Sequence, residues 1–121
     1  MKENNVLQEK TYAFAVRIVK ACQYLMTEKK EYVLCKQILR SGTSIGANTE
    51  EAIGGQSEKD FYAKLCIGYK EGRETHYWIR LLRDTDYFDA PQAKSLLKDC
   101  DEILKIVGSI IKTMKVKLNL Q

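Results

Sequence analysis

Glu50, Glu51, Glu71, Glu74 and His76 are the side chains best suited to chemistry, because carboxylates and imidazoles on facing helices are the ligands of a di-iron centre. That centre needs a Glu-x-x-His on each of two helices, and this sequence has a single histidine. Glu74 and His76 are two positions apart, so on a helix they point to different faces and even half of the motif fails. Nucleophilic catalysis has no better footing. His76 has no serine or cysteine near it in a strained turn, and Gly54-Gly55 lacks the strand and lysine of a phosphate loop. The pairs Glu50-Glu51 and Glu71/Glu74 fit a solvated face or salt bridges more simply than acid–base work. The expectation is a protein without enzyme activity, metal or cofactor.

The second set is basic. Lys98, Lys105 and Lys112 recur every seven residues, with Lys94 and Lys115 close to their line. Lys10 and Arg17 repeat the spacing near the N-terminus, and Tyr24 follows where the next charge would fall. From Lys105 to Gln121 there are four lysines and no acid. Such stripes can meet phosphates, and several copies around a ring would sum to a stronger field than one protomer provides. The competing reading is that lysines alternating with apolar positions are the wet side of a surface helix. The total charge does not decide, since 20 basic against 16 acidic residues leave only +4.

These residues need helices to position them, and four segments supply the periodicity. The first covers about residues 5–27, with Leu7, Thr11, Phe14, Ile18, Ala21 and Leu25 at steps of three and four. Glu28-Lys29-Lys30 breaks it. The second covers about 31–53 and ends at Gly54-Gly55, which predicts a left-handed C-terminal cap. Ser57 with Asp60 predicts a capping box opening a third helix over 57–84. Its stripe is Phe61, Leu65, Gly68, Gly72, Thr75, Ile79 and Leu82. Asp89 is the expected N-cap of the fourth, over 89–117, with Pro91 tolerated in the first turn. Ala93, Leu96, Cys100, Ile103, Val107, Ile110 and Met114 give it the cleanest heptad pattern in the chain. Short connections make successive helices antiparallel, so the expected fold is one all-α domain over 1–121, an up-down-up-down four-helix bundle.

Four cysteines, Cys22, Cys35, Cys66 and Cys100, fall one per helix with no Cys-x-x-Cys pair, which fits reduced and mostly buried thiols. No apolar run approaches the roughly 18 to 20 residues that span a bilayer. The first residues lack the apolar segment of a secretion signal, so a cytoplasmic protein is expected.

Polar residues interrupt the second helix where its apolar stripe should continue. Heptad steps from Leu34 reach Ile38, Ser41, Ile45, Asn48 and Ala52, placing a hydroxyl and an amide toward the core, where an unpartnered polar group costs about 1 to 3 kcal/mol. Arg40, Ser44, Asn48 and Glu51 lie along one side, and with Glu74 they form an expected polar seam in which Asn48 and Ser44 bond across to the third helix. Arg40, Arg73, Glu51 and Glu74 would be its paired charges. Gly42 with Gly46, and Gly68 with Gly72, predict close packing between helices two and three. A further stripe of Tyr62, Cys66, Tyr69 and His76 on helix three predicts either a self-association surface or a wide arc facing the core.

The run Ser41-Gly42-Thr43-Ser44-Ile45-Gly46-Ala47-Asn48, together with Gly54 to Phe61 and Lys70 to Trp78, resembles the four-helix-bundle family of 23S ribosomal RNA intervening-sequence proteins. Accessory proteins of diversity-generating retroelements are relatives of that family. The similarity runs from about Tyr12 to about Met114. It departs from the family pattern at Gly68 and Gly72, where alanine is usual. The resemblance implies a compact helical protomer that assembles into rings, usually pentamers, and a role in binding RNA or a reverse-transcriptase complex. The alternative it leaves open is an accessory scaffold whose partner is another protein.

Overall fold

The computed structural model describes residues 2–120, with side chains from Asn4 onward. Helix α1 spans Lys2–Thr27, α2 Leu34–Ile53, α3 Glu58–Asp84 and α4 Ala90–Lys117, with no strand among the described residues. Each helix packs on its two neighbours around a square: α1 on α2 and α4, α3 on α2 and α4. Pairing across every seam runs in opposite senses. Gln8 and Cys22 of α1 meet Glu50 and Cys35 of α2, while Arg40 and Glu51 of α2 meet Glu74 and Lys64 of α3. Glu58 and His76 of α3 meet Lys117 and Asp101 of α4, and Lys10 and Arg17 of α1 meet Glu102 and Asp99. The bundle is therefore up-down-up-down.

The periodicity read from the sequence is the core. Leu7, Phe14, Ile18 and Leu25 of α1 are buried against Ile38 and Ile45 of α2, Leu65, Ile79 and Leu82 of α3, and Ile103 and Val107 of α4. Phe88, in the α3–α4 connection, is buried too and closes one end. Its chain turns at Asp86 (φ 66°), which lets the backbone N–H groups of Tyr87 and Phe88 both donate to the Leu82 carbonyl.

Helix starts follow side-chain chemistry. Asp89 and Gln92 form a reciprocal capping box, with Pro91 in the first turn as expected. Ser57 accepts from the Asp60 N–H at 3.0 Å. Helix α2 begins at Leu34, three residues later than the sequence suggested. The buried Glu31 folds back to accept from the N–H groups of Cys35 (2.8 Å) and Val33 (3.3 Å), so it caps the helix from outside. Lys30 takes the left-handed conformation (φ 54°) that turns the chain there.

The expected left-handed glycine cap of α2 is absent. Gly54 has φ −84°, and its N–H donates to the carbonyl of Glu50. Gly55 keeps a tight space instead: a Cβ there would lie 3.0 Å from the Ala52 carbonyl oxygen and 2.6 Å from a carboxylate oxygen of Asp60, which can swing aside. The other glycines also pack differently from the expected α2–α3 contact. A Cβ on Gly42 would lie 2.8 Å from Ile18 of α1, and one on Gly46 would lie 3.3 Å from the Thr11 carbonyl, so this pair brings α1 close. Gly72 faces Leu104 of α4 at 2.7 Å and also meets Ile45 of α2 at 3.8 Å, while Gly68 meets α2 at ordinary contact distance from Asn48.

Cys22, Cys35 and Cys100 are buried, Cys66 is half-buried, and all four are free thiols. Burial, aided by the neighbouring Cys35 for Cys22 and by Asp101 and Asp99 for Cys100, pushes both thiols up to about 12. Only the thiolate is nucleophilic. In the native protein at pH 8, iodoacetamide is expected to label Cys66 first and to leave Cys22 and Cys100 unmodified until denaturant is added. Peptide mass spectrometry reads this order, and early labelling of Cys100 would show that the core opens.

Candidate nucleic-acid interface

Helical geometry places Tyr62, Cys66, Tyr69, Arg73, His76, Arg80 and Arg83 on one line of α3, at alternating steps of four and three. The same steps place Lys94, Lys98, Asp101, Lys105, Gly108, Lys112 and Lys115 on one line of α4. The two lines lie side by side along the α3–α4 seam. His76 Nε2 sits 3.1 Å from Asp101 Oδ1, a carbon added at Gly72 would touch Leu104, and Lys117 pairs with Glu58 at 3.1 Å.

The structure thus joins two residue groups that the sequence kept apart, the lysine stripe and the aromatic stripe. It also adds Arg80, which sequence reasoning missed, and Arg73, which the sequence had placed among the paired charges of the polar seam but which forms no ion pair among the described residues. Their signal was available, because they continue the line begun by Tyr62, Cys66 and Tyr69.

Lys94, Lys98, Lys105, Lys112 and Lys115 are exposed and, with exposed Arg73, form no ion pair among the described residues. Arg80 donates from Nε to His76 Nδ1 at 3.0 Å, and its guanidinium lies 5.9 Å from the centre of the Tyr77 ring. Arg83 is paired with Asp84, whose carboxyl it holds below the usual range. A shallow depression of about 650 Å³ lies on this face, lined by Arg83, Lys94, Lys98 and Lys105 with Asp101 and Glu102. The face is cationic because few acids share it.

Lys10 and Arg17 lie elsewhere. Lys10 pairs with Glu102 (3.2 Å) and Arg17 with Asp99 (2.6 Å), and Arg17 also donates to the carbonyl and hydroxyl of Ser95. Both cations are paired across the α1–α4 seam. Their heptad spacing reflects a seam between helices.

The polar seam is present with different partners. Arg40 bridges Glu71 (3.0 Å) and Glu74 of α3, as expected for a paired charge. The Trp78 indole N–H, donating to Glu74 at 2.9 Å, and Arg40 beside it hold that carboxylate below its ordinary range. Glu51 pairs with Lys64 rather than Arg73. Asn48 does not cross to α3: its amide donates to the carbonyl and hydroxyl of Ser44, one turn back on its own helix. The half-buried position of Asn48 makes that local bond sufficient. The cross-helix bond comes from Thr75, whose hydroxyl donates to the buried Ser41 hydroxyl at 2.9 Å and sets the α2–α3 register.

Glu74 faces α2 and His76 faces α4, and among the described residues no three His, Cys, Asp or Glu side chains converge on a point. Tyr62, Cys66, Tyr69 and His76 are all half-buried, Tyr69 lies against the core, and Cys66 one turn from Tyr62 holds the Tyr62 hydroxyl above its ordinary value. Exposed aromatic and aliphatic groups stand elsewhere, with Tyr12, Val16 and Val19 on the outer side of α1 and Tyr32 and Val33 before α2. No helix among the described residues is long and apolar enough to cross a membrane.

Residues 2–109 match the family model described as 23S rRNA-intervening sequence protein. The fold is similar to the crystal structure of a protein with unknown function from the S23 ribosomal protein family of Bacteroides thetaiotaomicron, at 51% identity and a TM-score of 0.89. That likeness covers 91% of this chain and 98% of the other. No curated protein matches.

Proposed function

The chain belongs to the 23S rRNA-intervening sequence protein family, and we propose that it acts without catalysis, as a homo-oligomeric bundle that binds RNA through the basic face of α3 and α4. The observation that carries this reading is the row of five α4 lysines, Lys94, Lys98, Lys105, Lys112 and Lys115, beside Arg73, all without acidic partners among the described residues. Lys20, Lys29, Lys30, Lys36, Lys59 and Lys70 are exposed and unpaired among the described residues too, so what sets the α4 lysines apart is their alignment along one face. Phosphates are the complementary ligand, because each cation that meets one releases a condensed counterion.

Self-association fits the apolar surface that the bundle leaves open. Tyr12, Val16 and Val19 project from α1 at steps of four and three, a spacing that an adjoining helix from another copy can cover. A pentameric ring would repeat the α3–α4 face around its circumference, and the cytoplasm is the compartment that keeps the four thiols reduced.

The test is a salt titration of binding to a fluorescent RNA. Association should weaken steeply between about 50 and about 200 mM salt, with a log–log slope near the number of phosphate contacts. Changing Lys98, Lys105 and Lys112 to glutamine should flatten that slope by about two to three. Salt-insensitive binding, or none, would instead favour a scaffold whose partner is a protein.

A further inference from the structure

The α3–α4 face is two rows of cations rather than one, and this bears on the form of its ligand. Arg73 and Arg80 are exposed on α3. Facing them across the seam, Lys94, Lys98, Lys105, Lys112 and Lys115 run along α4 for about 31 Å at 1.5 Å per residue. Packed helix axes lie roughly 8 to 10 Å apart, and side chains that splay outward widen the gap between the rows, so that the two rows can meet phosphates on both sides of the wide, shallow minor groove of an A-form duplex.

Single strands are held differently, in a positive groove with aromatic rings on which bases stack. This face offers little of either. Its cations stand on the crests of two helices, and the depression lined by Arg83, Lys94, Lys98 and Lys105 is shallow. Tyr62 and Tyr69 are half-buried, with Tyr69 lying against the core. Tyr77, about half exposed at the edge of the face, has the Arg80 guanidinium over its ring and Trp78 edge-on at 5.1 Å. Tyr12 and Tyr32 lie on other elements.

Resting on the nucleic-acid reading above, we propose that the ligand is a double-helical segment, docked through the phosphates of both its strands and held without regard to sequence. The α4 row follows one strand and the α3 arginines meet the other.

Competition binding with the full chain tests this. The probes are an RNA duplex of roughly two turns, either of its strands chosen not to fold, a DNA duplex of equal length, and a second RNA duplex of unrelated sequence. The RNA duplexes should bind alike and at least about tenfold tighter than the single strand, as expected when a second row of phosphates adds one or two contacts. Arg73→Gln with Arg80→Gln should reduce duplex affinity about tenfold and single-strand affinity by clearly less, narrowing the preference. Circular dichroism would show that this variant keeps its helices. A single strand that binds as tightly as the duplex overturns the inference while leaving RNA binding intact, and equal loss on both probes does the same. Failure of every probe to bind overturns the proposed function itself. The DNA duplex reports whether the A-form backbone adds to the affinity.

Discussion

Gly42→Val is expected to lower the unfolding free energy by about 3 kcal/mol, the upper range for overpacking a rigid core. Even the first added carbon would lie 2.8 and 2.9 Å from the two γ carbons of Ile18, which is fully buried and β-branched and so has no easy rotamer to escape into. Valine adds two more carbons to that clash. Alanine should cost less, because about 1 kcal/mol of helix propensity offsets part of the strain. A domain of this size should lose about 10 °C of melting temperature with valine. Trimming Ile18 to alanine in the same chain makes room, so the double variant should be more stable than the sum of the two single losses predicts. Gly108→Ala is the matching control. Nothing stands within 4 Å of its added carbon, so it should gain up to about 1 kcal/mol. Thermal melts of these variants decide whether Gly42 sets the α1–α2 distance. A harmless Gly42→Val would mean that the helices separate without cost.

Reversing Lys98, Lys105 and Lys112 to glutamate should weaken RNA binding by on the order of 100-fold or more at about 0.1 M salt. Neutralising Lys10 and Arg17 should change it by less than about twofold. The contrast follows from what each cation does when no ligand is bound. The α4 lysines are exposed and unpaired among the described residues, so each is available to displace counterions from a phosphate, with about 0.9 of a counterion released per contact. Lys10 and Arg17 already pair with Glu102 and Asp99. Their removal should register as a loss of stability of no more than about 1 kcal/mol each, the usual worth of an exposed pair. Effects in proportion to the charge removed, six units against two, would show that binding follows net charge rather than the α3–α4 face.

Much of the fold was legible because one side of every helix repeats at three and four residues. Leu7, Phe14, Ile18 and Leu25 could only face inward together, and so could Leu65, Gly68, Gly72, Thr75, Ile79 and Leu82. Asp89 and Pro91 announced a helix start through chemistry confined to a few residues, and Gln92 completes that cap in the structure. The candidate site was legible in half. Lysines seven apart show that a stripe exists, but the spacing is the same for Lys98–Lys105–Lys112 on an open face and for Lys10–Arg17 in a seam. Arg73 and Arg80 were read apart from the lysines because nothing local says which neighbour α3 turns them toward.

Where partners are near in the chain, the sequence by itself determined most of the outcome: helix content, the N-caps of α3 and α4, the inward stripe, and the reversal of direction forced by short connections. Where partners are far apart, only the tertiary structure decided. It gave Gly42 to Ile18 and Gly72 to Leu104, turned Asn48 back onto Ser44 while Thr75 took Ser41, and left one basic stripe free while the other was neutralised. The physical reason is that a helix fixes the direction of each side chain around its own axis, whereas the charge or space a side chain meets depends on the rotation and height of the adjoining helix. Those are set by packing summed over the whole bundle.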